Sequence, residues 1–117
     1  MHELSIAVAL VEQAQTIARK EHGHKISSVS VSIGVLAGVD YDALEFAFPL
    51  AVEDTMLNGA TLNIEKELLK IKCSDCSKEN TAHELSFKCP GCGSTMVEVS
   101  GGRDIRITAV EIEDNVQ

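Results

Sequence analysis

The chain has 117 residues, 44% of them hydrophobic, with three Phe, one Tyr and no Trp, so it holds material for one domain with a core of Val, Ile, Leu and Ala. Its formal net charge of −8 opposes binding to a phosphate backbone, which draws on a basic surface. There is no run of about 18 apolar residues, and Met1-His2-Glu3 lacks the basic region that opens a secretory signal, so no membrane partner and a reducing, cytoplasmic setting are expected.

At the amino terminus, His2 places an imidazole beside the α-amino group, with the intervening amide nitrogens in chelating reach of one ion. His2 is too large for ready removal of the preceding methionine, so Met1 is expected to stay. A nitrogen set of this kind suits a square-planar ion such as nickel(II); copper(II) suits it too and binds more tightly by the Irving–Williams order.

From Leu4 to Lys20 the residues Leu4, Ala7, Val8, Val11, Ala14 and Ala18 recur at helical steps and predict an amphipathic helix ending near Gly23. Val29, Val31, Ile33 and Val35 then alternate with Ser28, Ser30, Ser32 and Gly34, the pattern of a strand with one buried face. Asp40 or Asp42 can cap a second helix to about Met56, in which Pro49 predicts a kink or a break. Asn58-Gly59 turns the chain into a strand from about Ala60 to Lys72, where a shift of apolar phase predicts a bulge near Lys66 to Leu68. A last strand is expected from Asp104 to Glu113. The pattern predicts an α+β fold: a small mixed three-stranded sheet with two helices on one face, interrupted by an inserted zinc-ribbon module. Residues 1–70 and 104–117 would form the main domain, and 71–103 the insert.

That insert carries every cysteine of the chain: Cys73, Cys76, Cys89 and Cys92, two C-x2-C pairs twelve residues apart. Each pair can turn two thiolates toward one point, which makes a closed tetrahedral zinc site the expectation. Disulfides or iron are the rival readings, the former requiring an oxidising compartment. With all four positions filled by protein, such a site has no place for a substrate. His22 and His24 read as a solvated helix end, His83 as a surface side chain or a donor to a thiolate, and Glu111 and Glu113 as an exposed strand face. An enzyme is not expected, because the chain has no G-x-S-x-G, no phosphate-binding glycine loop and no spare cysteine nucleophile. Two classes of function remain on the residues alone: a carrier of labile metal with a structural zinc, and a zinc-ribbon adaptor for nucleic acid or the transcription machinery.

Met1-His2-Glu3-Leu4-Ser5, the Ile33-Gly34-Val35-Leu36-Ala37-Gly38-Val39 segment, Leu44-Glu45-Phe46-Ala47-Phe48 and the two C-x2-C pairs, in this order, resemble the HypA/HybF family of hydrogenase-maturation proteins. The resemblance implies a nickel metallochaperone that works with the GTPase HypB to load nickel into the large subunit of [NiFe]-hydrogenase and, in some bacteria, serves urease and its maturation proteins. It implies that His2 is the nickel ligand, joined by the backbone nitrogens of His2 and Glu3 and by the Met1 amine. The side chains of Glu3 and Asp40 would flank that nickel, and Cys73, Cys76, Cys89 and Cys92 would hold zinc. Pro49 departs from the family pattern of the second helix.

Overall fold

The computed structural model describes residues 3–113, so Met1 and His2 lie outside the described residues. Two helices and six strands follow one another as α1 (Glu3–Lys20), β1 (Lys25–Gly34), α2 (Tyr41–Ala51), β2 (Thr61–Glu67), β3 (Leu69–Cys73), β4 (Glu79–Ala82), β5 (Val97–Ser100) and β6 (Ile105–Glu113). The strands form two three-stranded sheets, ordered β2-β1-β6 and β4-β3-β5. The fold is α+β, as the pattern predicts.

Helix α1 has Glu3 in its first turn and Arg19 and Lys20 in its last, both favourable to the helix dipole. It ends in a Schellman motif: Gly23 N–H donates to the Ala18 carbonyl at 2.8 Å and His22 N–H to that of Arg19 at 3.1 Å, with His22 at φ 59°. His22 therefore closes the helix, and both His22 and His24 are exposed. The buried stripe is Ala7, Leu10, Val11, Ala14 and Ala18. Leu4 and Val8, expected on that stripe, face solvent instead, because the burying surface is reached by Leu10, which lies next to Val11 and one turn from Ala7 and Ala14.

Strand β1 is central in its sheet and has buried side chains on both faces. Val29 and Val31 are fully buried, and Ser28 and Ser32 on the opposite face are also buried. The Ser28 hydroxyl and the Glu111 carboxylate lie 3.0 Å apart, so a serine face that reads as exposed in sequence is covered and satisfied. Helix α2 packs against α1 and buries Leu44, Ala47 and Phe48. It stops at Ala51, short of Met56: Pro49 sits in its last turn, Val52 N–H donates to the Phe48 carbonyl at 3.1 Å, and turns follow. A proline so close to the end removes a donor without breaking a long helix.

The strand expected from Ala60 to Lys72 is two strands in two sheets. Half-buried Leu62 and Ile64 in β2 give way after Leu68 to buried Leu69, Ile71 and Cys73 in β3. The apolar phase shifts because the chain leaves one sheet for another, not because of a bulge within one. Strands β4 and β5 both pair antiparallel with β3, with Ile71 opposite Asn80 on one side and Val99 on the other.

The structure divides into two compact units. Among the described residues, one comprises 3–32, Val39–Glu65 and 106–113; the other comprises Ile33–Gly38 and Lys66–Ile105. In the second unit the backbones of Gly34 and Gly102 touch: a Cβ on Gly34 would lie 2.1 Å from the Gly102 carbonyl. Leu36 N–H donates to that same carbonyl at 2.6 Å. Gly34→Ala is expected to cost about 3 kcal/mol in a urea titration, because backbone rather than a flexible side chain must move. An unfolding midpoint equal to that of the parent would contradict this contact.

Candidate metal centre

Two turns of the same construction bring the four cysteines together. In the first, Cys73 N–H donates to the Lys78 carbonyl at 3.0 Å and Ser77 N–H returns to the Cys73 carbonyl at 3.0 Å. In the second, Cys89 N–H donates to the Ser94 carbonyl at 2.8 Å and Gly93 N–H to the Cys89 carbonyl at 2.9 Å. The fourth residue after the leading cysteine takes positive φ in each, 61° at Ser77 and 77° at Gly93. Only glycine adopts that conformation freely. Ser77→Gly is therefore expected to stabilise the first turn by up to about 1 kcal/mol, and Gly93→Ala to weaken the second by a similar amount, both read from the unfolding midpoint of the metal-loaded protein.

β3 delivers Cys73 at its end, opposite Val97 of β5. The four Sγ atoms all lie within 4.8 Å of one another, and the Cys73–Cys92 and Cys76–Cys89 separations are both 3.6 Å. A tetrahedral ion with Zn–S bonds of about 2.3 Å places its sulfurs about 3.8 Å apart, close to the two 3.6 Å separations, so the set fits a zinc ribbon. Cys73 and Cys89 are buried, Cys76 is half-buried and Cys92 exposed.

The backbone N–H groups of Cys92 and Gly91 point at the Cys89 sulfur and, with the neighbouring thiols, lower its pKa to about 6. Cys89 is thus a thiolate at neutral pH and offers a first ligand. At Cys92 the N–H of Ser94 works in the same direction, but the neighbouring Cys73 sulfur, burial and the other two sulfurs outweigh it and push the thiol up to about 12. A cation reverses that preference by ligating the thiolate, with release of the proton. Sequence reasoning missed the outer support of this centre. The Ser94 hydroxyl meets the Asp75 carboxylate and accepts from Met96 N–H at 3.0 Å, while Ser74 N–H donates to the Met96 carbonyl at 2.9 Å, so the two turns are tied to each other. The placement of Asp75 and Ser94, each two residues from a cysteine, is the one signal that could have found them. His83 is exposed.

The other candidates fall in two places. Glu3 opens α1, and its carboxylate accepts from Asp40 N–H at 3.1 Å. Asp40 is the N-cap of α2, its own carboxylate accepting from Ala43 N–H at 3.1 Å. Two residues distant in sequence are thereby joined at the start of both helices. Met1 and His2, the remaining nickel candidates, lie outside the described residues.

The model of one protein family, described as "Hydrogenase/urease nickel incorporation, metallochaperone, hypA", matches residues 1–112. The chain belongs to the HypA family. Among its relatives is hydrogenase maturation factor HypA of Aquifex aeolicus, 42% identical over 113 residues that make up 97% of this chain and 98% of that one. The HypA factor of Chlorobaculum tepidum is 36% identical across 97% of this chain and the whole of its own. The solution structure of the nickel metallochaperone HypA from Helicobacter pylori superposes with a TM-score of 0.68 at 29% identity, covering 98% of this chain and 100% of that one. A second HypA solution structure gives a TM-score of 0.66 at 30% identity over 97% of each chain. The family serves nickel incorporation into hydrogenase and urease, and its members are metallochaperones and maturation factors, not enzymes. Such a role requires partner proteins that receive the metal. Among the described residues, no helix is long and apolar enough to cross a membrane.

Proposed function

We propose that this chain binds nickel(II) at its amino terminus and delivers it during maturation of [NiFe]-hydrogenase, and of urease where that enzyme is present, while Cys73, Cys76, Cys89 and Cys92 hold a structural zinc. The observation that carries the reading is a family match that spans residues 1–112, and so includes Met1-His2-Glu3 together with the four-cysteine centre. His2 would supply the imidazole, and the Met1 amine with the backbone nitrogens of His2 and Glu3 the rest of a planar nitrogen set. Glu3 and Asp40 would place two carboxylates beside the cation. The division of labour would follow the chain: residues 1–70 and 104–117 for nickel, 71–103 for zinc. The GTPase HypB and the hydrogenase large subunit are the partners in this reading, and the cytoplasm its location.

The chemistry suits a carrier, because a site built partly from terminal backbone atoms can exchange ligands without disturbing a packed core. In a strain lacking this chain, hydrogenase activity is expected to fall sharply and to recover when excess nickel is supplied. Unchanged activity, or a loss that nickel does not repair, would count against delivery. Proton competition gives a second expectation. Imidazole must be neutral to ligate, so nickel affinity should fall as the pH drops through about 6.5. Affinity that stays flat between neutral and mildly acid pH would remove His2 from the ligand set.

A further inference from the structure

One face of α2 is left exposed among the described residues. Phe46 is 80% exposed and Leu50, one turn on, 58% exposed, with exposed Pro49 on the same face at helical spacing. Leu44, Ala47 and Phe48 occupy the opposite, buried face. A single exposed apolar residue is ordinary, but an apolar strip in a chain with only three phenylalanines is not. The charges that flank the strip in sequence are of one sign. Exposed Asp42 and Glu45 lie at the start of the strip, and exposed Glu53 and Asp54 follow its end. No Lys, Arg or His occurs between Lys25 and Lys66.

We propose that the Phe46–Pro49–Leu50 face of α2 is a protein-docking surface whose occupant is an apolar groove rimmed by lysine or arginine. Helix-in-groove recognition uses such a pattern, with apolar anchors one turn apart and charges that steer and register the partner. A second copy of this chain would set acid against acid, and anionic lipid or nucleic acid would be repelled in the same way. The identity of the partner rests on the carrier reading above, in which the metal passes to other proteins.

The test measures binding of the full-length chain to the purified GTPase and to the purified hydrogenase large-subunit precursor, using the parent, Phe46→Asp, Leu50→Asp and the double variant Asp42→Lys with Glu53→Lys. These positions are exposed, so each variant is expected to keep its circular dichroism, the charge variant alone lowering the unfolding midpoint slightly because Asp42 stands in the first turn of α2. For at least one of the two proteins, each apolar variant should weaken binding by about thirty-fold or more, the effect of losing a central anchor. The charge variant should weaken it about ten-fold at low salt, with the difference shrinking as salt is raised. Parent-like binding of all variants to both proteins would overturn the docking face while leaving the carrier reading intact. Failure of the parent to bind either protein would overturn the partner reading and this surface with it. A parent dimer that Phe46→Asp makes monomeric would assign the face to a second copy instead.

Discussion

Cys73→Ser is expected to release the metal from the cysteine centre and to unfold the unit that contains it. That unit is built on Lys66–Ile105 with Ile33–Gly38 added. Chains of about 40 residues seldom bury enough apolar surface to fold without a staple. Its buried hydrophobic residues are Ile33, Leu69 and Ile71, with Cys73 and Cys89 making up the rest, so the cysteines themselves are a large part of its core. Structural zinc supplies about 10–16 kcal/mol in small zinc modules, far more than three aliphatic side chains can replace. Serine also removes one of the four sulfurs that converge within 4.8 Å of one another and leaves a closed tetrahedral site one ligand short. Zinc content should fall from one per chain toward none, and amide protection in β3, β4 and β5 should disappear. Protection in α1 and α2 should persist, since they belong to the other unit, whose core contains no cysteine. One zinc per Cys73→Ser chain with β3 still protected would refute the structural role proposed for the centre.

His2→Ala carries the second large effect: nickel affinity should drop by at least about a hundred-fold at unchanged zinc content. Loss of outer-shell partners alone costs ten- to hundred-fold in metal affinity, and the imidazole would be a direct ligand. A tag fused ahead of Met1 should act in the same direction, because it removes the α-amine from the planar set. Glu3→Gln should have a smaller effect: it keeps the chain's nitrogens and an oxygen able to accept from Asp40 N–H, but loses the negative charge beside the cation. A calorimetric nickel titration of untagged parent, His2→Ala and Glu3→Gln, with zinc quantified in each, tests all three. Equal nickel binding by parent and His2→Ala would refute the terminal site.

Periodic segments and short-range motifs were legible in the sequence. Ala7, Val11, Ala14 and Ala18 mark a helix at a 3.6-residue period, Val29 and Val31 a strand at a period of two, and the two C-x2-C pairs a cluster of four sulfurs, because each signal is local and needs no knowledge of what packs against it. Errors arose where the outcome depended on a distant surface. Leu4 and Val8 fit the helical stripe of α1 yet face solvent, and Ser28 alternates like an exposed residue yet is buried, because the Glu111 carboxylate of the neighbouring strand β6 reaches its hydroxyl. A phase shift at Leu68 is the same in sequence whether the chain bulges or changes sheets; the pairing of β3 with β4 and β5 decides between them.

The α+β class, the gathering of the four cysteines and the family all rest on residue type and spacing. Tertiary structure alone decided that Ile33–Gly38 joins the cysteine-bearing unit, that Gly34 and Gly102 meet backbone to backbone, that Asp75 and Ser94 tie the two turns, and that Glu3 reaches Asp40 across 37 residues. Spacing along a chain constrains neighbours within one turn or one strand, whereas contacts between remote segments follow from which surfaces the packed core leaves facing each other.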